Sequence, residues 1–404
     1  MSLIASLCVA GVSYGQSSVS VSGTLVDSET GEPLFLATVR VKDESLWTIT
    51  NTVGKFDFHI PGRYRDRNMV ISMMGYENHE VPIRNLIGKD SVLFKLNKAT
   101  QVLDEVVFTD SLSGPDIVRI ALVRIENNYP MNPFLMEGFY RDVKKLGGKY
   151  VSLLEAAVKI YDQDYDPPIN KDRLRERVAL MEVRKSMGYD GKWDRYFEQN
   201  NLLESLLLKN DVRYHTYPES ESDFYDDFKR IKITYYNEHR VFVVERNTPN
   251  RFTRVYVDTD SYAVIRIEQE ERFPNAVVKK KKRMVSKHLS EKKIVDFKEY
   301  RGKMYLNYMT VDSKILWLHE KKEDYSFETE IHQELLINHI EANTDQRIAN
   351  TEKMRRYGLQ FQETQYNKDF WANYNVIKDT PLNEEIVSDL EEKGKLEFQF
   401  EEQR

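Results

Sequence analysis

Cysteine is almost absent from the sequence, since Cys8 is the only one among 404 residues. It lies in the first 16 residues, so the rest of the chain can form neither a disulfide framework nor a thiol-based active site. Proline and glycine are also few, with 12 and 17 residues, which excludes collagen-like and low-complexity classes. Beyond residue 16, no apolar run approaches the roughly 20 residues that a membrane-spanning helix requires. The net charge of −6 gives no general attraction to nucleic acid, and we expect no such partner.

Local motifs of common catalytic sites are missing as well. There is no Gly-x-Ser-x-Gly elbow, no phosphate-binding glycine loop and no His-Glu-x-x-His helix. Paired acids such as Glu155 and Asp162 could perform acid–base chemistry, but 65 acidic residues produce many such pairs by chance. We therefore predict that the protein is not an enzyme and uses no cofactor.

Aromatic residues show what the chain does contain. Tyr (24) and Phe (19) far outnumber Trp (4), and hydrophobic residues make up 41% of the chain. Aromatic and β-branched side chains suit pleated surfaces that are buried on one side. The composition predicts a folded, mainly β protein.

The first 16 residues differ from the rest. Leu3 to Val12 is a short apolar run, followed by the small residues Ser13 and Gly15 at the positions that signal peptidase reads. We predict a signal peptide over residues 1–16 and an exported protein of the periplasm or outer membrane. Because Met1-Ser2 supplies no basic residue, we also expect a start codon upstream of Met1.

Residues 17–98 consist of short alternating strands separated by turn signals. Val19 to Val26 alternates with a period of two, and Lys55 to Ile60 does so again. Gly31 and Pro33 mark a turn between strands. Strands at this spacing predict a small seven-stranded β-sandwich.

Five ordered pieces of this region carry a family resemblance. They are Val21-x-Gly23-x-Leu25-x-Asp27, Thr30-Gly31-Glu32-Pro33-Leu34, Ala37-Thr38-Val39, Thr50-Asn51-Thr52-x-Gly54-x-Phe56 and Ser72-x-x-Gly75-Tyr76. Together they resemble the carboxypeptidase-like regulatory domain, which is common at the start of Bacteroidetes envelope proteins. The resemblance implies a transthyretin-like (prealbumin-like) sandwich without peptidase chemistry of its own. Val53 departs from the pattern, which usually has an acidic residue there.

The remainder is predicted to form a larger α+β domain. Residues 99–114 are expected to be a linker, and residues 115–345 a half-barrel-like domain with a curved antiparallel sheet around a helix at 116–127. The pattern of this region is weakly similar to lipoprotein-carrier half-barrels. Residues 170–210 are predicted to be a helical insertion, and residues 346–404 a polar, partly helical tail.

One pair of residues invites a metal-site hypothesis. His288-Leu-Ser-Glu291 has the His-x-x-Glu spacing of zinc carboxypeptidases, whose metal takes three protein ligands. The pair lies in a strongly basic segment, where repulsion opposes a dication. We interpret it as a solvated turn and predict no metal site.

A run of basic residues forms the other candidate site. It comprises Lys279, Lys280, Lys281, Lys282 and Arg283. We interpret the run as a solvated hairpin end that could contact an anionic membrane surface or lipopolysaccharide phosphates.

The leading functional prediction is a non-catalytic exported envelope protein that acts as a binding or scaffold module. Its partner is expected to be an envelope protein, a glycan or a lipid. Two alternatives remain open at this stage. A periplasmic carrier would hold a lipid or lipoprotein acyl chain in an open apolar concavity, and a zinc-dependent carboxypeptidase-like hydrolase would bring a third ligand to His288 and Glu291.

Overall fold

The computed structural model describes most of the chain after residue 17. The described residues are 18–99, 112–187, 193, 196–197, 202–217, 225–274, 277–281, 283–354, 358–362, 365–378, 381–392 and 394–401. The predicted signal peptide (1–16) and most of the predicted linker (99–114) lie outside these ranges. Within the described parts, no helix is both long and apolar enough to cross a membrane.

The N-terminal part is a two-layer β-sandwich of seven strands, as predicted. The strands are β1 (Ser18–Asp27), β2 (Thr38–Val41), β3 (Trp47–Ile49), β4 (Lys55–Pro61), β5 (Asn68–Ser72), β6 (His79–Pro82) and β7 (Val92–Leu96). One sheet has the order β4-β1-β7 and the other the order β3-β2-β5-β6. Their facing side chains form a separate hydrophobic core.

The alternation in β1 explains how this core closes. Val21 and Leu25 are buried, and Gly23 lies between them on the same face. A Cβ atom at Gly23 would come within 2.6 Å of the Phe56 ring and 2.9 Å of the Phe94 ring. Glycine is therefore required at this position because two aromatic rings pack directly against its backbone.

The second part is built on one large antiparallel sheet. Its strands are β8 (Phe134–Leu146), β9 (Lys149–Asp162), β10 (Arg177–Met187), β11 (Lys229–Tyr236), β12 (His239–Asn247), β13 (Arg251–Asp258), β14 (Val264–Arg272), β15 (Val277–Lys281), β16 (Met284–Tyr300), β17 (Lys303–His319) and β18 (Lys322–Ala342). The order is β10-β9-β8-β18-β17-β16-β14-β13-β12-β11, and β15 pairs with β16 alone. The predicted mainly β architecture with a large antiparallel sheet is confirmed.

One face of this sheet, here called the inner face, is covered by helices. They are α1 (Gly114–Val123), α2 (Ile125–Asn128), α3 (Leu202–Leu207) and α4 (Asp211–Tyr214). α1 begins with a capping box between Ser113 and Asp116, as its sequence favours. Behind α2, the hydroxyl of Tyr129 donates a hydrogen bond of 2.7 Å to the Val264 carbonyl. The same ring stacks on Tyr165 at 5.0 Å, so the inner face is filled by side chains.

The predicted helical insertion at 170–210 is partly wrong. Within the described part of this range, residues 177–187 form the edge strand β10 and residues 202–207 form helix α3. A β-bulge between Leu180 and Glu182 shifts the register on β9. Val178 and Val183 are both buried, although an uninterrupted strand would place residues five positions apart on opposite faces. Because the bulge breaks the alternation, the sequence lacks the period of two that predicts a strand.

The tail crosses the opposite face of the sheet, here called the outer face. It forms α5 (Lys368–Asn373), α6 (Pro381–Glu391) and α7 (Leu396–Glu401). Between α5 and α6, the Asn375 amide bonds both the N–H and the carbonyl of His59 on β4, at 2.7 and 3.0 Å. The Asn338 amide of β18 donates a hydrogen bond of 2.9 Å to the Asn375 carbonyl. The tail thereby joins the sandwich to the large sheet.

The sandwich also packs directly on the outer face through β3. Trp47 is fully buried and belongs to the core of the large sheet, not to that of the sandwich. Its ring centroid lies 4.1 Å from the Lys298 ammonium nitrogen on β16. Burial and the neighbouring Arg40 hold the pKa of Lys298 well below its usual range.

Candidate functional site

The outer face of the large sheet carries a concave cleft of about 600 Å³. Its floor is formed by β8, β16, β17 and β18, and its two walls come from the sandwich and the tail. The surface exposed in the cleft is mostly apolar. Such a site, concave and apolar with a few polar groups, is typical of ligand binding.

The floor contains a buried ion network centred on Arg141 of β8. Its guanidinium lies 2.6 Å from Glu155 on β9 and 3.1 Å from Glu334 on β18. Arg184 of β10 reaches the second oxygen of Glu155 at 2.6 Å. Burial raises the pKa of Glu155, but the charges of Arg141 and Arg184 outweigh that effect and lower it. The network therefore places ionised side chains on four neighbouring strands, β10, β9, β8 and β18.

A second group continues the network on β17 and β18. His332 lies between two acidic side chains. Its Nδ1 is 2.7 Å from the Asp312 carboxylate, and its Nε2 is 3.8 Å from the Glu334 carboxylate. The Tyr308 hydroxyl donates a hydrogen bond of 3.1 Å to Glu334. Burial raises the pKa of Glu334, yet the His332 hydrogen bond and the Arg141 charge lower it to about 2. Burial lowers the pKa of His332, yet its two acidic neighbours raise it to about 10.

The raised pKa of His332 predicts a specific pH dependence of stability. A histidine whose folded pKa exceeds its unfolded value of 6.5 contributes stability fully below pH 6.5 and loses it as the pH rises towards 10. We expect the thermal midpoint of the wild-type chain to fall over this range. In His332→Gln this fall should be clearly smaller, and calorimetry at half-unit intervals of pH measures it. Parallel pH profiles for the two proteins would contradict the assignment of a charged His332.

The walls of the cleft come from parts of the chain far apart in sequence. The sandwich contributes Phe35 and the turn residues Asn51 and Thr52, and the tail contributes Ile377 and Ile386. Asn51 donates a hydrogen bond of 3.0 Å from its amide to the Lys378 carbonyl, so the two walls meet. Thr52 is exposed at the rim. The cleft therefore exists only when the sandwich and the tail are both docked.

Three lysines lie among the residues that line the cleft. Lys145 places its ammonium 4.0 Å from the centroid of the Tyr150 ring, where it is stabilised by a cation–π contact. Lys292 pairs with Glu270, and Lys314 pairs with Glu328 at 2.6 Å. The cleft thus combines apolar walls with cationic groups, and the acidic residues Asp312, Glu330 and Glu334 line it as well.

The proposed zinc pair lies in strand β16, so the prediction of a solvated turn was wrong. The long pairing of β16 with β17, interrupted by a bulge between His288 and Ser290, places this polar segment within the sheet. His288 stacks on the Phe273 ring at 4.4 Å, and its Nε2 lies 3.1 Å from the Ser313 hydroxyl. Glu291 forms an ion pair of 2.6 Å with Lys209. The two residues are therefore engaged with different partners.

Another group within the described residues has the composition of a cation site. His239, Asp258 and Asp260 place one ligand atom each within 4.8 Å of one another. His239 and Asp260 are exposed. The Asp258 carboxylate already accepts hydrogen bonds from the Ser261 N–H and hydroxyl, at 2.8 Å each. This arrangement is a side-chain-stabilised turn between β13 and β14.

The basic run lies at the hairpin between β15 and β16. Lys280 is exposed and pairs with Glu320 at 3.0 Å, and Arg283 is exposed too. Lys282 lies outside the described residues, and the structure describes only the backbone of Lys279 and Lys281.

Sequence reasoning missed the charged floor of the cleft. Arg141 lies in strand β8, whose other residues are mostly apolar, and Glu334 directly precedes the apolar run Leu335-Leu336-Ile337; these were the available signals. A charged residue at an alternate position of a strand usually marks a solvated face. Only the covering sandwich and tail turn that face into a buried network.

Comparison with known families decides the nature of the N-terminal sandwich. Residues 21–108 match the model of the CarboxypepD_reg-like domain. The sandwich is a carboxypeptidase-regulatory-like domain. Domains of this type are non-catalytic, so this part of the chain supplies a regulatory or binding module. The match confirms the resemblance drawn from the five sequence pieces.

Comparisons of the whole chain find distant similarity to solved structures. No curated protein matches it. Among solved structures, a lipovitellin structure concerned with lipid–protein interactions has 8% identity and a TM-score of 0.27, covering 56% of this chain and 27% of its own. A 9R-lipoxygenase from Cyanothece PCC8801 has 12% identity and a TM-score of 0.17, covering 81% of this chain and 42% of its own. The chain thus spans less than half the length of either protein.

Proposed function

We propose that the chain is a non-catalytic, exported cell-envelope protein that binds an amphipathic anion, such as a fatty acid, in the outer-face cleft. The observation that carries this proposal is the composition of the cleft. A volume of about 600 Å³ with a mostly apolar surface suits a hydrocarbon portion. Lys145, Lys292 and Lys314 suit an acidic headgroup, because ammonium groups bind carboxylate and phosphate as point charges. Export rests on the signal-like residues 1–16.

The regulatory-like sandwich has a direct role in this proposal, since it supplies one wall of the site. The inner face is occupied by α1–α4 and buried aromatic residues, so we place the ligand on the outer face. A hydrolase is not favoured, because His288 and Glu291 bind Ser313 and Lys209 in this fold.

The test uses 1-anilinonaphthalene-8-sulfonate, an amphipathic anion whose fluorescence rises in apolar sites, with dodecanoate as competitor. We expect one saturable site in the full chain and displacement of the dye by dodecanoate. Thr52→Trp places an indole at the exposed rim of the cleft and should weaken binding about tenfold or more, the effect of losing ~1.4 kcal/mol of contact.

The matched control is Thr30→Trp, which puts the same side chain on an exposed turn that does not line the cleft. It should bind the dye like the wild-type chain. Equal binding by Thr52→Trp and the wild type would place the dye elsewhere and contradict the cleft as the site. A wild-type chain that binds neither dye nor dodecanoate would contradict the ligand class.

A further inference from the structure

Two hairpin turns lie side by side at one end of the large sheet. The first joins β15 to β16 between Lys281 and Met284, and the second joins β17 to β18 between His319 and Lys322. Met284 pairs directly with His319 across β16 and β17. The backbone N–H of Glu320 also donates a hydrogen bond of 2.8 Å to the Arg283 carbonyl. We name residues 277–287 and 319–325 together the basic tip.

The basic tip concentrates positive charge on a chain that is acidic overall. Residues 277–287 contain six basic and no acidic residues, and residues 319–325 add two lysines and three acidic residues. The net charge of the tip is therefore +5, against −6 for the whole chain. Among its described side chains, Lys287, Lys321 and Lys322 are exposed together with Arg283. Segregated charge of this kind attracts an oppositely charged surface.

The tip also presents an aromatic side chain. Tyr325 is 45% exposed, which is unusual for a large hydrophobic residue of this chain. Its ring packs against His319 and Phe327, with centroids 6.1 Å apart in each case. Phe327 is in turn stacked on the buried Trp317. A tyrosine held rigidly beside lysines suits the boundary between lipid headgroups and acyl chains.

We propose that the basic tip docks the protein onto an anionic lipid surface. The exposed side chains of Arg283, Lys321 and Lys322 contact phosphate groups, and Tyr325 enters the headgroup layer. Each basic residue near such a surface contributes about 1 kcal/mol, and the attraction falls off within a Debye length. Among the described basic residues, Arg283, Lys321 and Lys322 lie at or beside two narrow turns, and this compact arrangement favours a surface over an extended strand as partner.

The experiment is cosedimentation of the full chain with vesicles. One set is phosphatidylcholine with 30% phosphatidylglycerol, and the other is phosphatidylcholine alone. We expect binding to the anionic set only, with strong weakening when the salt rises from 50 to 300 mM. The triple variant Arg283→Glu, Lys321→Glu and Lys322→Glu should lose about 100-fold in affinity, since each exposed charge contributes about 1 kcal/mol.

A matched charge control separates local docking from net charge. Arg65→Glu, Lys89→Glu and Lys95→Glu make the same change at three exposed positions of the sandwich. This control should keep the greater part of wild-type binding. Tyr325→Ser should weaken binding about threefold without changing its salt dependence, because it removes an apolar contact alone.

Three results would overturn the proposal. They are equal binding to neutral vesicles, equal losses in the two triple variants, and binding of a single-stranded oligonucleotide as tight as that of anionic vesicles. Thr52→Trp should bind vesicles like the wild type, so failure of the cleft proposal and failure of this one can be told apart.

Discussion

Replacing Arg141 by methionine should lower the free energy of unfolding by about 3–5 kcal/mol, because it removes the cation that lies between two buried carboxylates and leaves them only Arg184 and His332 as charged partners. Arg141 is 4% exposed and lies between Glu155 and Glu334, which are also buried. Methionine retains much of the side-chain volume, so the lost stability would come from removing the charge and not from creating a cavity. Urea unfolding followed by circular dichroism measures the difference.

Glu334→Gln combined with Arg141→Met provides the control for this prediction. Removing the second charge should restore part of the stability, since Glu334 is one of the two carboxylates that Arg141 neutralises. Arg184→Met should cost less, because the Arg184 side chain is 20% exposed and water replaces part of its role. An Arg141→Met protein as stable as the wild type would show that the network is not charged as described.

Trp47→Ala should also cost about 3–5 kcal/mol, the usual range for deleting a buried tryptophan. Trp47 is fully buried where β3 meets the outer face, and its loss leaves a cavity over Lys298. The larger consequence concerns function. The sandwich wall of the cleft depends on this contact, so we expect weaker dye binding as well as earlier unfolding in urea.

Trp47→Phe is the corresponding control, because it keeps an aromatic ring in contact with Lys298. It should lose less stability than the alanine variant and keep most of the dye binding. If Trp47→Ala unfolds earlier but binds the dye normally, the sandwich does not need this contact to form its wall of the cleft.

The alternating strands β1 and β4 of the N-terminal sandwich could be predicted from the sequence. In β1, burial alternates with a period of two, and Gly23 and Gly54 stand where packing or a positive φ requires glycine. Such features are local, since each involves a few neighbouring residues. Gly147-Gly148, both with positive φ, mark the turn between β8 and β9 in the same local way.

The long strands of the large sheet extend beyond the stretches whose local pattern predicts a strand. β16 runs from Met284 to Tyr300, but only Ile294 to Phe297 form a mostly apolar stretch typical of a strand. The segment before it is polar on both sides, and bulges at His288 and Asp296 shift its alternation. Its strand conformation comes from pairing with β17, which local propensity does not encode.

The candidate site could not be predicted, because its parts are distant in sequence. Arg141 meets the Ile377 carbonyl across 236 residues, and Asn51 meets Lys378 across 327. Neither wall carries a motif, and the charged floor resembles a solvated strand face until it is covered.

The sequence alone determined the class of the protein: a mainly β chain with an N-terminal regulatory-like sandwich, which its alternating strands and turn residues specify locally. The tertiary structure decided where a ligand can bind. Docking of Trp47 and of the Asn375 segment on the outer face removes Arg141 and Glu334 from water and encloses the cleft. Burial of this kind depends on contacts between distant segments, so a pattern of neighbouring residues cannot reveal it.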